Sequence, residues 1–342
     1  MRILIPSVQV PFILGGAQLM TDGLQTALIE HGHDVEIIRF PFKFSPENYI
    51  SQLMEFCENN NFEEFNGYHI DQVIALQFPA YYVQHPNKTL WLMHQHRAVY
   101  ELYNKQNKTR ELESLKTKIE LYDSRNLESF NRRFSMCQNV SNRLLKFNGI
   151  SSKPLYHPPA NASSFALRES QGYIFCPSRL EALKRQDLLI KALMHTKTNV
   201  QVIIAGDGGQ KNVYKQLAES IGVSNKLRFI GHVSEEEKVL FYAHSLGVFF
   251  GPFDEDYGYI TLEAMLSAKP VITCTDSGGP LEFVLNNETG FIVEPNPEQI
   301  AEKMDFLFNN KMKAKELGQH GREHYETKRI CWDDVVENLV GS

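Results

Sequence analysis

The chain has 342 residues, 42% hydrophobic and 22% charged, which is ordinary globular composition and enough for two domains with separate cores. Its formal net charge of −6 argues against general nucleic-acid binding, and its five scattered cysteines (Cys57, Cys137, Cys176, Cys274 and Cys331) have neither metal-finger nor redox spacing. No apolar run is long enough to span a membrane and the start, MRILIPSVQVPF, lacks a signal-peptide pattern, so reduced structural thiols in a cytoplasmic protein are expected.

Short β-branched runs alternate with longer helical patterns along the chain, which predicts parallel sheets covered by helices. RILIPS reads as a strand, GGAQLMTDGLQTALIEHG as a helix and DVEIIRF as a second strand. IDQVIAL, TLWLMH and FSMCQNVS are further strands, with a charged helical stretch over 109–131 between the last two. Periodicity stops around KPLYHPPANASSF, whose prolines and small polar residues suit an interdomain linker. It restarts at YIFCPSRL and continues through a helix at 185–195, VQVIIAG, a helix from 211, LRFIGHV, LGVFFGPF, a helix through Glu263, PVITC and GFIVEP. CWDDVVENLV reads as a final helix. The expected fold is α/β: two facing doubly wound, Rossmann-like domains, 1–160 and 161–326, with ligands bound in the cleft at the carboxyl ends of the strands.

The chemistry concentrates in FDEDYGYITLEAM, residues 253–265. If Gly258 marks a loop-to-helix transition, the following amides form an anion site suited to phosphate. Glu263, inside that helix, could then accept two vicinal hydroxyls, as on a ribose, and Glu255 could reach a second polyol. The alternative is an acidic helix start stabilised by the macrodipole. In CPSRLEALKRQDLLIKAL, Arg179 and Lys184 stand at the start of a helix after a strand, where cations suit a phosphorylated ligand; singly, each could be a solvated loop charge. Gly15 and Gly16 in GGAQ, and Gly278 and Gly279 in SGGPLEFV, permit close backbone approach, with Glu282 on the next helix. All of these positions follow strands and so share one rim.

The ordered set SRLEALKR, IAGDGG, FIGHVSEEE, EDYGYITLEAM, KPVITC, DSGGPLEFV and ETGFIVEP resembles the family 4 glycosyltransferases of the GT-B fold, and GGAQ with EHGHDVEII is similar to that family's amino-terminal start. Coverage is nearly the whole chain and weakest over 100–135. Each motif alone is weak; the full order is specific. The resemblance implies a retaining, metal-independent enzyme that moves a sugar from a nucleoside-diphosphate sugar to a hydroxyl of a glycan, glycolipid or small acceptor, with no cofactor. It implies that Arg179 and Lys184 bind the donor diphosphate, Glu263 the ribose and Glu255 the donor sugar, the last two forming the E-x7-E signature. Gly16 matches the glycine loop that closes over the donor, and Gly15, Gly206, His232, Val233, Gly258, Tyr259 and Ile260 complete the donor site. His94 in WLMHQHRAVYEL matches a histidine close to the transferred sugar, so the catalytic set is Glu255, His94, Lys184 and Arg179. The last helix, about 327–342, is expected to cross back to the first domain.

Two departures affect the fit of the sugar: the family usually has Phe, Gly, Leu, Pro where this chain has Tyr257, Gly258, Tyr259 and Ile260, and Gly where it has Arg185. His94 and His96 lack a carboxylate or Cys at ligand spacing, so no metal is expected there and His96 reads as structural. The acids at 254–256 mimic a metal triplet, but the cations at 179 and 184 make one unnecessary. Lys105, Lys108, Arg110, Lys116, Lys118, Arg125, Arg132 and Arg133 could touch an anionic membrane at the inner surface or a lipid-linked acceptor. Interleaved Glu111, Glu113, Glu120, Asp123 and Glu128 favour a solvated helix instead. Three rivals stay open: a nucleotide-sugar epimerase of the same fold, a nucleotide-sugar-binding module without turnover, and a dinucleotide-dependent oxidoreductase. The last is disfavoured because GDGGQK lacks the third glycine of G-x-G-x-x-G.

Overall fold

The structure is a computed structural model that describes every residue except 13, 14, 105, 107, 108 and 342. The chain divides into two compact units, Met1–His157 with Cys331–Ser342, and Pro158–Ile330.

In the first unit β1 (Arg2–Gln9), α1 (Gly16–Glu30), β2 (Asp34–Pro41) and α2 (Glu47–Asn59) come first. A small antiparallel hairpin, β3 (Glu64–Phe65) and β4 (Tyr68–His69), precedes β5 (Gln72–Gln77) and β6 (Lys88–His94). Then follow α3 (Arg110–Glu128), β7 (Arg132–Ser135), α4 (Gln138–Asn148) and β8 (Lys153–Pro154). The sheet is parallel throughout, in the order β2-β1-β5-β6-β7-β8. All six residues of β5 are buried, as expected for a strand covered on both faces, where apolar runs replace alternation.

The second unit repeats the plan. It contains β9 (Tyr173–Pro177), α5 (Gln186–Ala192), β10 (Gln201–Ala205), α6 (Lys211–Ser220), β11 (Leu227–Gly231) and α7 (Glu235–His244). These are followed by β12 (Gly247–Phe249), α8 (Tyr259–Leu266), β13 (Val271–Cys274), β14 (Gly290–Val293), α9 (Pro297–Asn309) and α10 (Lys311–Thr327). The order β11-β10-β9-β12-β13-β14 is again parallel and reverses direction between β9 and β12. Such a reversal leaves the loops at the carboxyl ends of the two central strands diverging, and ligands of open α/β sheets bind there.

The final helix, α11 (Trp332–Val340), packs in the first unit. Trp332 lies against Gly23 of α1 so closely that a Cβ on Gly23 would fall 2.5 Å from the indole. The same ring meets Trp91 edge-on at 6.2 Å and His157 at 5.6 Å, and Gln72 donates to the Leu339 carbonyl at 2.8 Å.

Several sequence-level expectations are corrected. The strand expected at FSMCQNVS ends at Ser135, because Cys137 caps α4, its Sγ accepting from the Val140 amide at 3.4 Å. The helix expected at 185–195 is a 3-10 turn, Ala182–Lys184, followed by α5; Arg185 between them is left-handed, which no continuous helix allows. Glu282 lies on a 3-10 turn, Gly279–Glu282, not on an α-helix. Arg132 and Arg133 lie on β7 and not on the charged helix, while Lys105 and Lys108 fall outside the described residues. Three of the cations of α3 pair with neighbours: Lys118 with Glu55, Arg125 with Glu58 and Lys116 with Glu120.

Candidate active site

The loops after β9 and β12 flank the reversal of the second sheet and are linked by a backbone hydrogen bond further along. Phe253 donates its amide to the Leu183 carbonyl at 2.8 Å, which ties the start of the acidic turn to the segment carrying Arg179 and Lys184. Gly206, directly after β10, has φ +123, and a Cβ there would lie 2.1 Å from the Ser178 carbonyl oxygen. Only glycine lets these two loops pack so closely, and the contact seats Arg179. The Arg179 backbone is held further by Gln186, which donates to its carbonyl at 2.9 Å, while its guanidinium is exposed and has no ion-pair partner among the described residues.

Gly258 is left-handed (φ 85, ψ 58) and caps α8, so the chain turns sharply from the acidic loop into the helix. The amides of Tyr259 and Ile260 occupy its first two positions, where helical geometry supplies no intrahelical acceptor. The loop-to-helix transition expected from the sequence is therefore present. Burial and nearby Glu263 raise the pKa of the Tyr259 hydroxyl, whose ring stands edge-on to Tyr257 at 5.3 Å.

The two carboxylates have different settings. Glu263, in the second turn of α8, is 6% exposed; its Oε1 accepts from Lys238 Nζ at 2.9 Å and its Oε2 from the Tyr242 hydroxyl at 2.7 Å. Burial opposes charge on Lys238, but Glu263 and Glu235 overcome it and raise the pKa of the ammonium. Glu255 is more open and accepts from Lys184 Nζ at 2.5 Å. Its backbone is stitched to the following loop, Glu255 N to the Ser277 carbonyl at 2.9 Å and Gly279 N to the Glu255 carbonyl at 2.8 Å. His232 is exposed and Val233 half-buried, just before Ser234 caps α7. Among the described residues no group of three or more His, Cys, Asp or Glu is arranged to hold a metal.

In the first unit, Gly15 caps α1 and Gly16 begins it. Gly15 is extended (φ −164) and a Cβ there would meet nothing within 4 Å, so the fold does not itself require glycine at this position. His94 ends β6, half-buried, with Nδ1 2.7 Å from the Gln95 carbonyl oxygen. His96 packs on Phe78 at 4.9 Å; burial, and then His94, push its pKa down to about 4, leaving a neutral ring.

Within the second unit the structure thus brings Lys184 onto Glu255 and places Arg179, Gly206, Gly258, Tyr259, Ile260 and Glu263 around the same sheet reversal. Sequence reasoning missed Lys238 and Tyr242, the partners of Glu263. The signal was available in VSEEEKVLFYAH: Ser234 and Glu237 form a capping box, and positions 238 and 242 then share one helical face. It also missed the fork between Arg185 and Asp276, for which no sequence signal exists.

Two parallel, doubly wound units with a polar site at the strand ends define a GT-B architecture. Sucrose-phosphate synthase from Thermosynechococcus elongatus superposes with a TM-score of 0.79 at 17% identity, covering 98% of this chain and 97% of that one. Anabaena Alr3699/HepE in complex with UDP-glucose gives 0.73 at 16% identity, covering 98% of each chain. Residues 159–324 match the family described as glycosyl transferases group 1, so this unit belongs to that family and carries the recognition drawn from the motifs. A Mycobacterium tuberculosis GDP-mannose-dependent alpha-(1-6)-phosphatidylinositol monomannoside mannosyltransferase is 31% identical over 180 residues, 49% of this chain and 46% of that protein. The chain spans about half the length, or less, of the curated relatives it matches.

Proposed function

We propose that the chain is a retaining glycosyltransferase that moves a sugar from a nucleoside-diphosphate sugar to a hydroxyl of a glycan, glycolipid or small acceptor, without a catalytic metal. The observation that carries this reading is the pairing of Lys184 with Glu255 beside the amino-terminal turn of α8, with Glu263 one turn further in. A departing diphosphate accumulates negative charge, and Lys184, Arg179 and the first amides of α8 are fixed donors able to offset it as it develops. Glu263, held by Lys238 and Tyr242, presents a pre-oriented carboxylate to vicinal hydroxyls of a ribose. Glu255, more open, is suited to the hydroxyls of the sugar. Retention follows most simply from attack on the face the diphosphate leaves, its phosphate oxygen taking the acceptor's proton. The relatives' dependence on GDP-mannose and complex with UDP-glucose support a nucleotide-sugar donor and leave the base open.

Glu263→Ala tests the reading. It removes a charged hydrogen-bonding partner of the nucleotide, so binding of UDP, GDP or ADP, whichever the wild type takes, weakens by about 1.5–3 kcal/mol. Calorimetric titration of a folded variant with unchanged affinity would remove the nucleotide from this site.

A further inference from the structure

Arg185 stands where the family resemblance leads one to expect glycine, and its backbone keeps the glycine conformation, φ 51 and ψ 40. A non-glycine residue persists there only where its surroundings hold it. Its guanidinium is held by four hydrogen bonds. Nε donates to the Gly251 carbonyl at 2.8 Å, Nη2 to the Pro252 carbonyl at 2.9 Å, and Nη1 and Nη2 form a fork on Asp276 at 2.8 and 2.6 Å.

These partners flank the acidic turn on both sides. Gly251 and Pro252 lead into it from β12. Asp276 leads into the backbone on which it rests, since Asp254 N donates to the Asp276 carbonyl at 2.8 Å and Glu255 N to the Ser277 carbonyl at 2.9 Å. Bidentate pairing with Asp276 offsets the charge of Arg185, and the side chain is only 16% exposed. Arg185 is thereby a poor ligand for phosphate and a good brace for the turn.

We infer that Arg185 is a positioning residue: it clamps the two backbone segments that present Glu255, and so governs donor turnover rather than nucleotide affinity. The inference rests on the reading of Glu255 as the contact to the donor sugar. Lysine cannot replace the brace, because a single ammonium cannot span two carbonyls and a carboxylate in one plane.

The test compares wild type with Arg185→Gly, which accepts the backbone conformation, and with Asp276→Asn, which keeps the shape but weakens the fork. Hydrogen exchange of the Asp254, Glu255 and Gly279 amides should accelerate by at least ~10-fold in Arg185→Gly, relative to the amides of β13. Release of nucleoside diphosphate from UDP-glucose or GDP-mannose should slow by at least ~10-fold, while the Kd for UDP or GDP moves by less than about threefold, a split that marks an interaction confined to the transition state. Asp276→Asn should shift both readouts in the same direction, by less. Unchanged exchange in the turn overturns the clamp, as does a Kd that weakens in step with turnover, which would make Arg185 a phosphate ligand. A wild type that binds no nucleoside diphosphate overturns the functional reading instead, and the exchange result then reports on the clamp alone.

Discussion

Glu263 and Glu255 sit eight residues apart, yet one is buried between two donors and the other pairs with Lys184 in a more open setting. A buried carboxylate held by two donors is fixed in orientation, which on the proposed function suits recognition of a constant part of the ligand. On the proposed function, the half-buried pair of Lys184 and Glu255 exchanges partners when a diphosphate arrives. Lys184→Ala should therefore cut turnover by at least ~100-fold, comparable to the loss of one transition-state donor. Transfer by the wild type should survive exhaustive EDTA treatment. A reduction below about threefold, or chelation that abolishes activity until magnesium or manganese is restored, would return Asp254 and Asp256 to consideration as metal ligands.

Among the elements of the first unit, α3 is anchored by one buried acid. Asp123, fully buried, accepts hydroxyl hydrogen bonds from Tyr81 at 2.8 Å, Tyr82 at 2.7 Å and Tyr100 at 2.6 Å. Burial pushes its pKa up to about 6, against the pull of the three hydroxyls. The folded pKa exceeds the unfolded one, so between pH ~4 and ~6 the unfolded chain has lost a proton that the folded chain keeps, and stability falls as pH rises through that window. At about 1.4 kcal/mol per pKa unit the fall is on the order of 2–3 kcal/mol. Urea unfolding of wild type and Asp123→Asn at pH 4 and 6.5 reads it directly: the gap between the two proteins should change by that amount. Parallel stability curves would show that Asp123 does not titrate in this window.

At the scale of the molecule, the chain begins and ends in the same unit, and α11 is fixed there by a small apolar face. Leu339 is fully buried, and its truncation to Ala should cost about 2–5 kcal/mol through lost transfer energy and a cavity. The loss should fall on the first unit: hydrogen exchange should speed in α1 and β6 while the amides of β9, β10 and β13 keep their protection. Equal loss in both sheets would contradict the assignment of α11 to the first unit.

The sequence alone determined the alternation of strands and helices, because buried parallel strands read as apolar runs whatever their neighbours. It also determined the turn into α8, because Gly258 opens a conformation that few other residues adopt. The ordered motifs were enough for recognition of the family, and within one unit the structure brings Lys184 and Glu255 together. The short helices were less legible: α7 has a weak apolar face, and its role emerges only when Lys238 and Tyr242 are seen against Glu263. The tertiary structure decided the partners of the charges. Arg185 and Asp276 are far apart in the chain, and nothing local distinguishes a guanidinium in a loop from one that braces two carbonyls and a carboxylate. Such a bond depends on how three strand ends converge, and that convergence belongs to the sheet.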